Sequence, residues 1–204
     1  MRHLMPAILA MAAIVLASNI LVQFRLGDWL TWGAVTYPIA FLVTDVTNRI
    51  HGASAARRVV MAGFVVGIGC SLIAAGLDKT TLRIAVASGV AYLTAQLLDV
   101  LIFDRLRHHA DWWRAPFLSS LVGSAVDTAL FFSIAFSAGL PHDVNTGWST
   151  EAVPVLGIGP LAPLWVSLGV ADWLMKLALV ILALVPFRII VRKILSGPVE
   201  KPLT

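Results

Sequence analysis

The sequence predicts an all-α membrane protein, a single transmembrane domain over residues 1–204 built of six transmembrane helices. Three observations carry this. The chain is 59% hydrophobic and only 13% charged, where a soluble domain carries about 25% charge, and its mean hydropathy is +0.88. The apolar residues fall into six long runs separated by charged or Gly/Pro-rich connections. Lys and Arg concentrate in alternate connections, the pattern of a chain that crosses a bilayer repeatedly. The net charge of +4 therefore reads as topology and not as a nucleic-acid signal. The lone cysteine, Cys70, excludes an internal disulfide and sits in an apolar run as a small packing residue.

Helix one is predicted over about Leu4 to Val22, with Asn19 its one strongly polar interior residue. The uncharged run from His3 to Phe24 exceeds the roughly 7–15-residue core of a signal peptide, so it reads as a mature first helix. Helix two runs from about Trp29 to Ile50. Pro38 lies inside it, removes a hydrogen bond to the Ala34 carbonyl and predicts a kink. Only sixteen uncharged residues, Trp29 to Thr44, precede Asp45, and a full crossing needs roughly twenty. Asp45 is thus placed inside the membrane or at its inner boundary. Asn48 shares its helix face and Arg49 stands at ion-pair spacing, so a salt bridge anchoring the helix end is an alternative reading.

Gly52 to Arg58 reads as a loop, and helix three as Val59 to Gly76. Its Gly63 and Gly67 form a G-x-x-x-G pair that lets helices approach closely, which marks this helix as packing scaffold and not substrate wall. Helix four runs from about Leu82 to Phe103. Fifteen uncharged residues, Ile84 to Leu98, precede Asp99, so this acid too falls within the span. Tyr92, Gln96 and Asp99 form one continuous face. The loop Asp104 to Arg114 is the most charged, and Trp112-Trp113 suits an interfacial aromatic belt. Its His108-His109 pair lacks metal-ligand spacing. Helix five, Pro116 to Ala138, carries Asp127 near its middle. Gly139 to Pro163 is a long connection with Asp143 and Glu151, suited to a short re-entrant or surface element. Helix six, Leu164 to Ile190, holds Asp172 and Lys176 four apart, where they can pair.

Six spans place both termini on one side. With the N-terminus in the cytoplasm, eleven basic residues lie inside: Arg2, Arg49, Arg57, Arg58, Arg105, Arg107, Arg114, Arg188, Arg192, Lys193 and Lys201. Three lie outside: Arg25, Lys79 and Arg83. This strongly favours both termini cytoplasmic.

The intramembrane polar groups are Asp45, Asn48, Gln96, Asp99, Asp127, Asp172 and Lys176. Singly, each reads equally as glue between helices. Together they are too many for lipid-facing positions and call for an interior polar site that handles a solute or protons. No G-x-S-x-G, H-E-x-x-H, Walker or Cys-x-x-Cys motif is present, so no catalytic residue, metal or cofactor is assigned. An ATPase is excluded within this chain. An intramembrane enzyme acting on a lipid or small molecule is not, although no nucleophile–base pair stands out.

The order and spacing of these groups carry a resemblance. Thr36-Tyr37-Pro38 leads to Asp45-Val46-Thr47-Asn48-Arg49-Ile50-His51-Gly52. Ala87-Ser88 leads to Gln96-Leu97-Leu98-Asp99-Val100 and Phe103-Asp104. Arg114, Ser119-Ser120, Asp127-Thr128, Lys176 and Pro186 follow. In these pieces, from helix two to the end, the chain resembles the bacterial queuosine-precursor transporter family, also called the vitamin uptake transporter family. It departs at His51, where a tyrosine is more usual, and at Ser124-Ala125, where a more polar pair is expected. The resemblance implies import of 7-deazaguanine bases such as preQ0, preQ1 or queuine across the inner membrane for tRNA modification. It also implies an architecture similar to the six-helix substrate-binding components of energy-coupling-factor vitamin transporters. A substrate-binding module that works only with ATPase partners is the alternative.

The partners implied are a small 7-deazapurine and the lipid bilayer, with no nucleic acid. A homo-oligomer or an energising partner stays open. Asp45, Asn48, Gln96, Asp99, Asp127 and Lys176 are the candidate polar site, since carboxylates and amides match a guanine-like edge. Tyr37, Phe41, Tyr92 and Trp165 are candidate stacking partners. At least one of Asp45, Asp99 and Asp127 is expected to exchange protons during transport.

The charge count generates a direct test. Single cysteines placed at Glu151 and Arg107 should be labelled by a membrane-impermeant reagent from opposite sides, Glu151 from outside. Labelling of both from one side would refute the six-span topology.

Overall fold

The computed structural model describes residues 2–108, 111–140 and 144–196; His109, Asp143 and Lys201 lie outside the described residues. The described chain is overwhelmingly helical. Seven α-helices are connected by short turns and two small hairpins: α1 Met5–Leu21, α2 Trp32–Thr36, α3 Ile39–His51, α4 Ala53–Gly76, α5 Leu82–Leu106, α6 Arg114–Phe136 and α7 Leu164–Leu195. Four of them, α4, α5, α6 and α7, are long and apolar enough to cross a membrane, while α1 has 17 residues.

The expected second helix is not merely kinked. It is broken into α2 and α3 at Tyr37 and Pro38. Proline has no N–H to give the Ala34 carbonyl, and the chain restarts through Ala40 and Phe41, whose N–H groups bond to the Tyr37 and Pro38 carbonyls. The hydroxyl of Thr36 caps the interrupted turn by bonding to the carbonyls of Trp32 and Gly33 and to Ser18 Oγ at 3.0 Å.

The predicted loop from Gly52 to Arg58 is corrected. Gly52 alone makes the turn, at φ +83°, a conformation that favours glycine. Ala53 to Arg58 then form the opening turns of α4. The good helix formers Ala53, Ala55, Ala56, Arg57 and Arg58 allow this.

Helix α5 packs most extensively against α6, and α4 packs on both α1 and α5. The G-x-x-x-G pair does what its spacing predicts. A Cβ at Gly63 would collide with the Tyr92 hydroxyl and the Met11 side chain, and one at Gly67 would lie 3.0 Å from Val15. The core of this half is Met11, Val15, Ala40, Val59, Val60 and Tyr92. A second cluster, Phe103, Ala115, Phe187 and Val191, closes the Arg107 end of the bundle, its two rings edge-on at 6.0 Å. A third, around Ala87, Ala135 and Phe136, lies at the Lys79 end.

Two antiparallel hairpins, β1 Arg25–Leu26 with β2 Leu30–Thr31 and β3 Ala152–Pro154 with β4 Leu161–Pro163, shape the connections at that same end. The long predicted connection therefore holds a surface hairpin and 3-10 turns (Val144–Thr150 and Val155–Gly157).

Gly123 on α6 sets the closest approach in the centre. A Cβ there would stand 2.9 Å from Phe41 Cε1, 3.3 Å from Asp99 Cβ and 3.4 Å from the Ala95 carbonyl. Gly123→Val should therefore overpack α3, α5 and α6 and lower stability by about 1–3 kcal/mol, read as a fall in thermal unfolding temperature in detergent. An unchanged transition would show that the helices do not meet this closely.

Candidate functional site

A buried charge cluster ties α6 to α7. Lys176 is 4% exposed. Its Nζ lies 2.7 Å from Asp127 Oδ2 and 2.6 Å from Asp172 Oδ2, and donates to Thr128 Oγ1 at 3.0 Å. Thr128 in turn donates to Asp172 at 2.7 Å. The Tyr37 hydroxyl, from the break between α2 and α3, donates to the other Asp127 oxygen at 3.1 Å, and the tyrosine ring faces the ammonium at 5.5 Å. Asp172 and Lys176 meet because they are one turn apart on α7. Asp127 reaches them because α6 packs beside α7.

This cluster forms the polar floor of a cavity of about 430 Å³, within the size range of small-molecule sites. Its walls are mainly apolar and aromatic: Phe64, Tyr92, Phe131, Phe132 and Phe136, with Trp29 and Trp148 nearer the mouth. The lining also includes Gln23, Thr31, Lys79 and Thr80 from the connections, so the cavity extends to the Lys79 end. A cavity of this composition can hold a flat, partly polar solute, stacking it on aromatic faces and holding its edge by hydrogen bonds. Helix α4 contributes Phe64, Gly67, Ile68 and Ser71 to the lining. The expectation that this helix is scaffold alone is thus corrected: one face of it lines the cavity, while its glycines let α1 and α5 approach.

A second polar cluster lies toward the Arg107 end. Asp45 accepts from Ser119 at 3.3 Å and from Ser120 at 3.2 Å, and Ser120 also lies 3.4 Å from Asp99 Oδ1. Thr44 donates to Gln96 Oε1 at 2.7 Å, and Asn48 Nδ2 donates to the Val100 carbonyl at 3.0 Å. All of these side chains are buried. The anticipated Asp45–Arg49 pair is absent from the ion pairs of the described residues. Arg49 instead donates to the Arg107 carbonyl at 2.9 Å, while Arg107 donates to the Asn48 carbonyl at 3.0 Å. These reciprocal bonds tie the end of α3 to the end of α5.

The candidate residues thus separate into two groups. Asp127, Lys176, Tyr37 and Tyr92 line the large cavity; Asp45, Asn48, Gln96, Asp99 and Phe41 do not. Phe41 and Tyr92 each stand edge-on to Tyr37, at 6.2 and 6.1 Å. Trp165 packs with the Phe136 cluster behind the wall. Sequence reasoning counted Asp172 among the intramembrane polar groups but not among the substrate-binding residues, and it assigned Thr128 no role in the site. Asp172 carried a signal in its spacing to Lys176, whereas Thr128 is placed only by how α6 docks on α7. Among the described residues no group of three His, Cys, Asp or Glu side chains is arranged to hold a metal ion.

Residues 31–191 match the family described as "Putative vitamin uptake transporter". The chain is 37% identical over 171 residues to the "Probable queuosine precursor transporter" of Haemophilus influenzae, covering 76% of this chain and 66% of that protein. It is 40% identical over 141 residues to the "Queuosine precursor transporter" of Escherichia coli, covering 60% and 64%. A "Probable queuosine precursor transporter" of Bacillus subtilis is 29% identical over 136 residues, covering 56% and 59%. The chain spans just under two thirds of the length of these curated relatives. No solved structure matches it.

Removing the ammonium should leave two buried carboxylates without their cation. Lys176→Met is expected to cost about 3–5 kcal/mol, read by thermal or denaturant unfolding in detergent. Adding Asp127→Asn to Lys176→Met should recover part of the loss. If the double variant is as unstable as the sum of the singles, the coupling of these groups is disproved.

Proposed function

The chain belongs to the vitamin uptake transporter family, and on that premise we propose that it imports a queuosine precursor, a 7-deazaguanine base, through the large cavity. The observation that carries this reading is the cavity itself, floored by Asp127, Asp172 and Lys176 and walled by aromatic rings. A guanine-like edge presents adjacent N–H donors, which a carboxylate accepts in pairs. Tyr37 and Tyr92 offer faces for stacking, an interaction worth about 1–3 kcal/mol per base. The names of the three relatives point to the same class of cargo.

The finer topology is part of the proposal. Six crossings, counting α1 and the broken α2–α3 as spans, with both termini cytoplasmic, turn the mouth of the cavity outward. The Phe103–Phe187 cluster then closes the cytoplasmic end, as an importer awaiting its solute requires. The bundle is read as similar in architecture to the substrate-binding component of energy-coupling-factor transporters and as residing in a bacterial inner membrane. Transport, not catalysis, is its role. The inner cluster of Asp45, Asn48, Gln96 and Asp99 lies deeper, with Asp99 about 10 Å further along α5 than Tyr92 at the helical rise.

The test is a cell that cannot make the precursor and lacks its own importer. Supplied with this chain and a low external concentration of the base, it should recover queuosine in its tRNA. Tyr37→Ala is expected to raise the concentration needed by about ten- to a hundredfold, the loss of one stacking face and one hydrogen bond. No recovery by the wild-type chain, despite membrane expression, would remove the substrate assignment. Recovery by Tyr37→Ala at the wild-type concentration would keep the substrate and discard this site. Uptake by proteoliposomes containing only this chain would decide against an obligatory ATPase partner.

A further inference from the structure

Asp45 and Asp99 meet at one hydroxyl. Ser120 Oγ lies 3.2 Å from Asp45 Oδ2 and 3.4 Å from Asp99 Oδ1, and with one hydrogen it serves a single carboxylate at a time. Ser119, 3.3 Å from Asp45 Oδ1, is shared with the Pro116 carbonyl at 3.4 Å. The four carboxylate oxygens have two hydroxyl protons to draw on. Asp99 Oδ2, on a side chain with 0% exposure, has no hydrogen-bond partner. Bonded to the same carbon as Oδ1, it belongs to this cluster.

The charge is also less compensated here than at the cavity floor: there Lys176 offsets one of two acids, whereas here no base offsets either. Every neighbouring base is engaged elsewhere. On α3, Arg49 bonds to the Arg107 carbonyl, and at the end of α5, Arg107 pairs with Asp104. On α6, Arg114 pairs with Asp111; on α7, Lys176 is held by Asp127 and Asp172, and Arg188 stacks on Trp112. Among the described residues no Lys or Arg stands within ion-pair distance of Asp45 or Asp99. Two adjacent carboxylates sealed from water need a positive charge between them or beside them.

There is room for one. A void of about 10 Å³ lies beside Asp45 and Ser120, walled otherwise by apolar residues such as Pro38, Phe41 and Phe187; it is close to the minimum for a single water-sized guest and reaches Asp99 through the shared Ser120. One spare acceptor lies close in sequence: Asn48 Oδ1, three residues after Asp45, is buried and unpartnered. Carboxylate, hydroxyl and amide oxygens are the donors that hard cations take.

We propose that the Asp45–Asp99 pair is the coupling site, binding one monovalent cation, a proton or a sodium ion, whose movement across the membrane drives the solute. The cation's role in import rests on the function proposed above; its binding does not. The division of labour is physical. Asp127 and Asp172 share an internal ammonium that offsets one of their two charges, so a mobile cation gains less there, whereas the inner pair has no internal counter-charge.

The test uses the purified full chain without any base. Infrared difference spectroscopy reads the carbonyl stretch of a neutral carboxyl, and equilibrium binding of radiolabelled sodium reads the ion. A neutral-carboxyl band at neutral pH identifies the proton, and saturable binding of a single sodium per chain identifies the metal. Either signal should vanish in Asp45→Asn and Asp99→Asn and persist in Asp127→Asn. Should an Asn variant fail to fold, Ser120→Ala, which leaves both carboxylates in place, should still shift the band or weaken sodium binding at least severalfold. Neither signal in the wild type, or a signal that follows Asp127 instead, would overturn the site. Because no base is added, a wrong substrate assignment leaves these results intact. With a 7-deazaguanine base in proteoliposomes, accumulation that ignores an imposed gradient of the identified cation would overturn the coupling role.

Discussion

An ammonium buried in a bundle whose outer solvent is lipid has to be met by carboxylates, and much of this structure follows from how Lys176 meets them. One partner, Asp172, comes from its own helix and needs only helical spacing. The other, Asp127, comes from α6 and fixes how that helix sits against α7. Thr128 completes the bridge by donating to Asp172 while accepting from the ammonium. Tyr37 adds a hydrogen bond to the second Asp127 oxygen, drawing the break between α2 and α3 to the same point. Polar groups that satisfy one another in this way can line a cavity without the cost of leaving a buried charge alone.

Pro38 determines what lies on either side. By ending one helix and beginning another, it presents Tyr37 to the large cavity and Phe41 to the small void beside Asp45. Gly123 admits Phe41 because any side chain there would meet its ring at 2.9 Å. The bundle therefore separates two electrostatic environments along its length. One pairs its acids with a resident base beneath an aromatic cavity. The other brings two acids to a shared serine with no base at hand. The proposed recognition of a neutral solute rests on the first, and the proposed binding of a mobile positive charge on the second.

An importer of the kind proposed must also keep its two ends from being open together. Here the connections at the Lys79 end leave a cavity, while Phe103, Phe187, Ala115 and Val191 fill the Arg107 end. The reciprocal bonds of Arg49 and Arg107 to each other's neighbouring carbonyls fasten α3 to α5 at that closed end. These are bonds between charged side chains and helix-end carbonyls, which lie where the chain leaves the apolar segment.

The sequence by itself determined the class of the protein, the extent of most helices, an irregularity at Pro38 and the close approach at Gly63 and Gly67. Each of these depends on local properties: apolar run length, a missing N–H, a missing Cβ. It also marked Asp45, Asp99, Asp127 and Lys176, because an ionisable side chain inside an apolar run is conspicuous wherever it finally points. The tertiary structure alone decided that these residues gather into two clusters. Asp127 and Lys176 are 49 residues apart, and Ser119 and Ser120 reach Asp45 from 74 and 75 residues away. No helical period links positions on different helices; the rotation and depth at which the helices dock do. The Gly52 turn escaped the sequence reading because charge at Arg57 and Arg58 resembles a loop, although arginine is a good helix former whose long side chain can reach the aqueous boundary from a helix end.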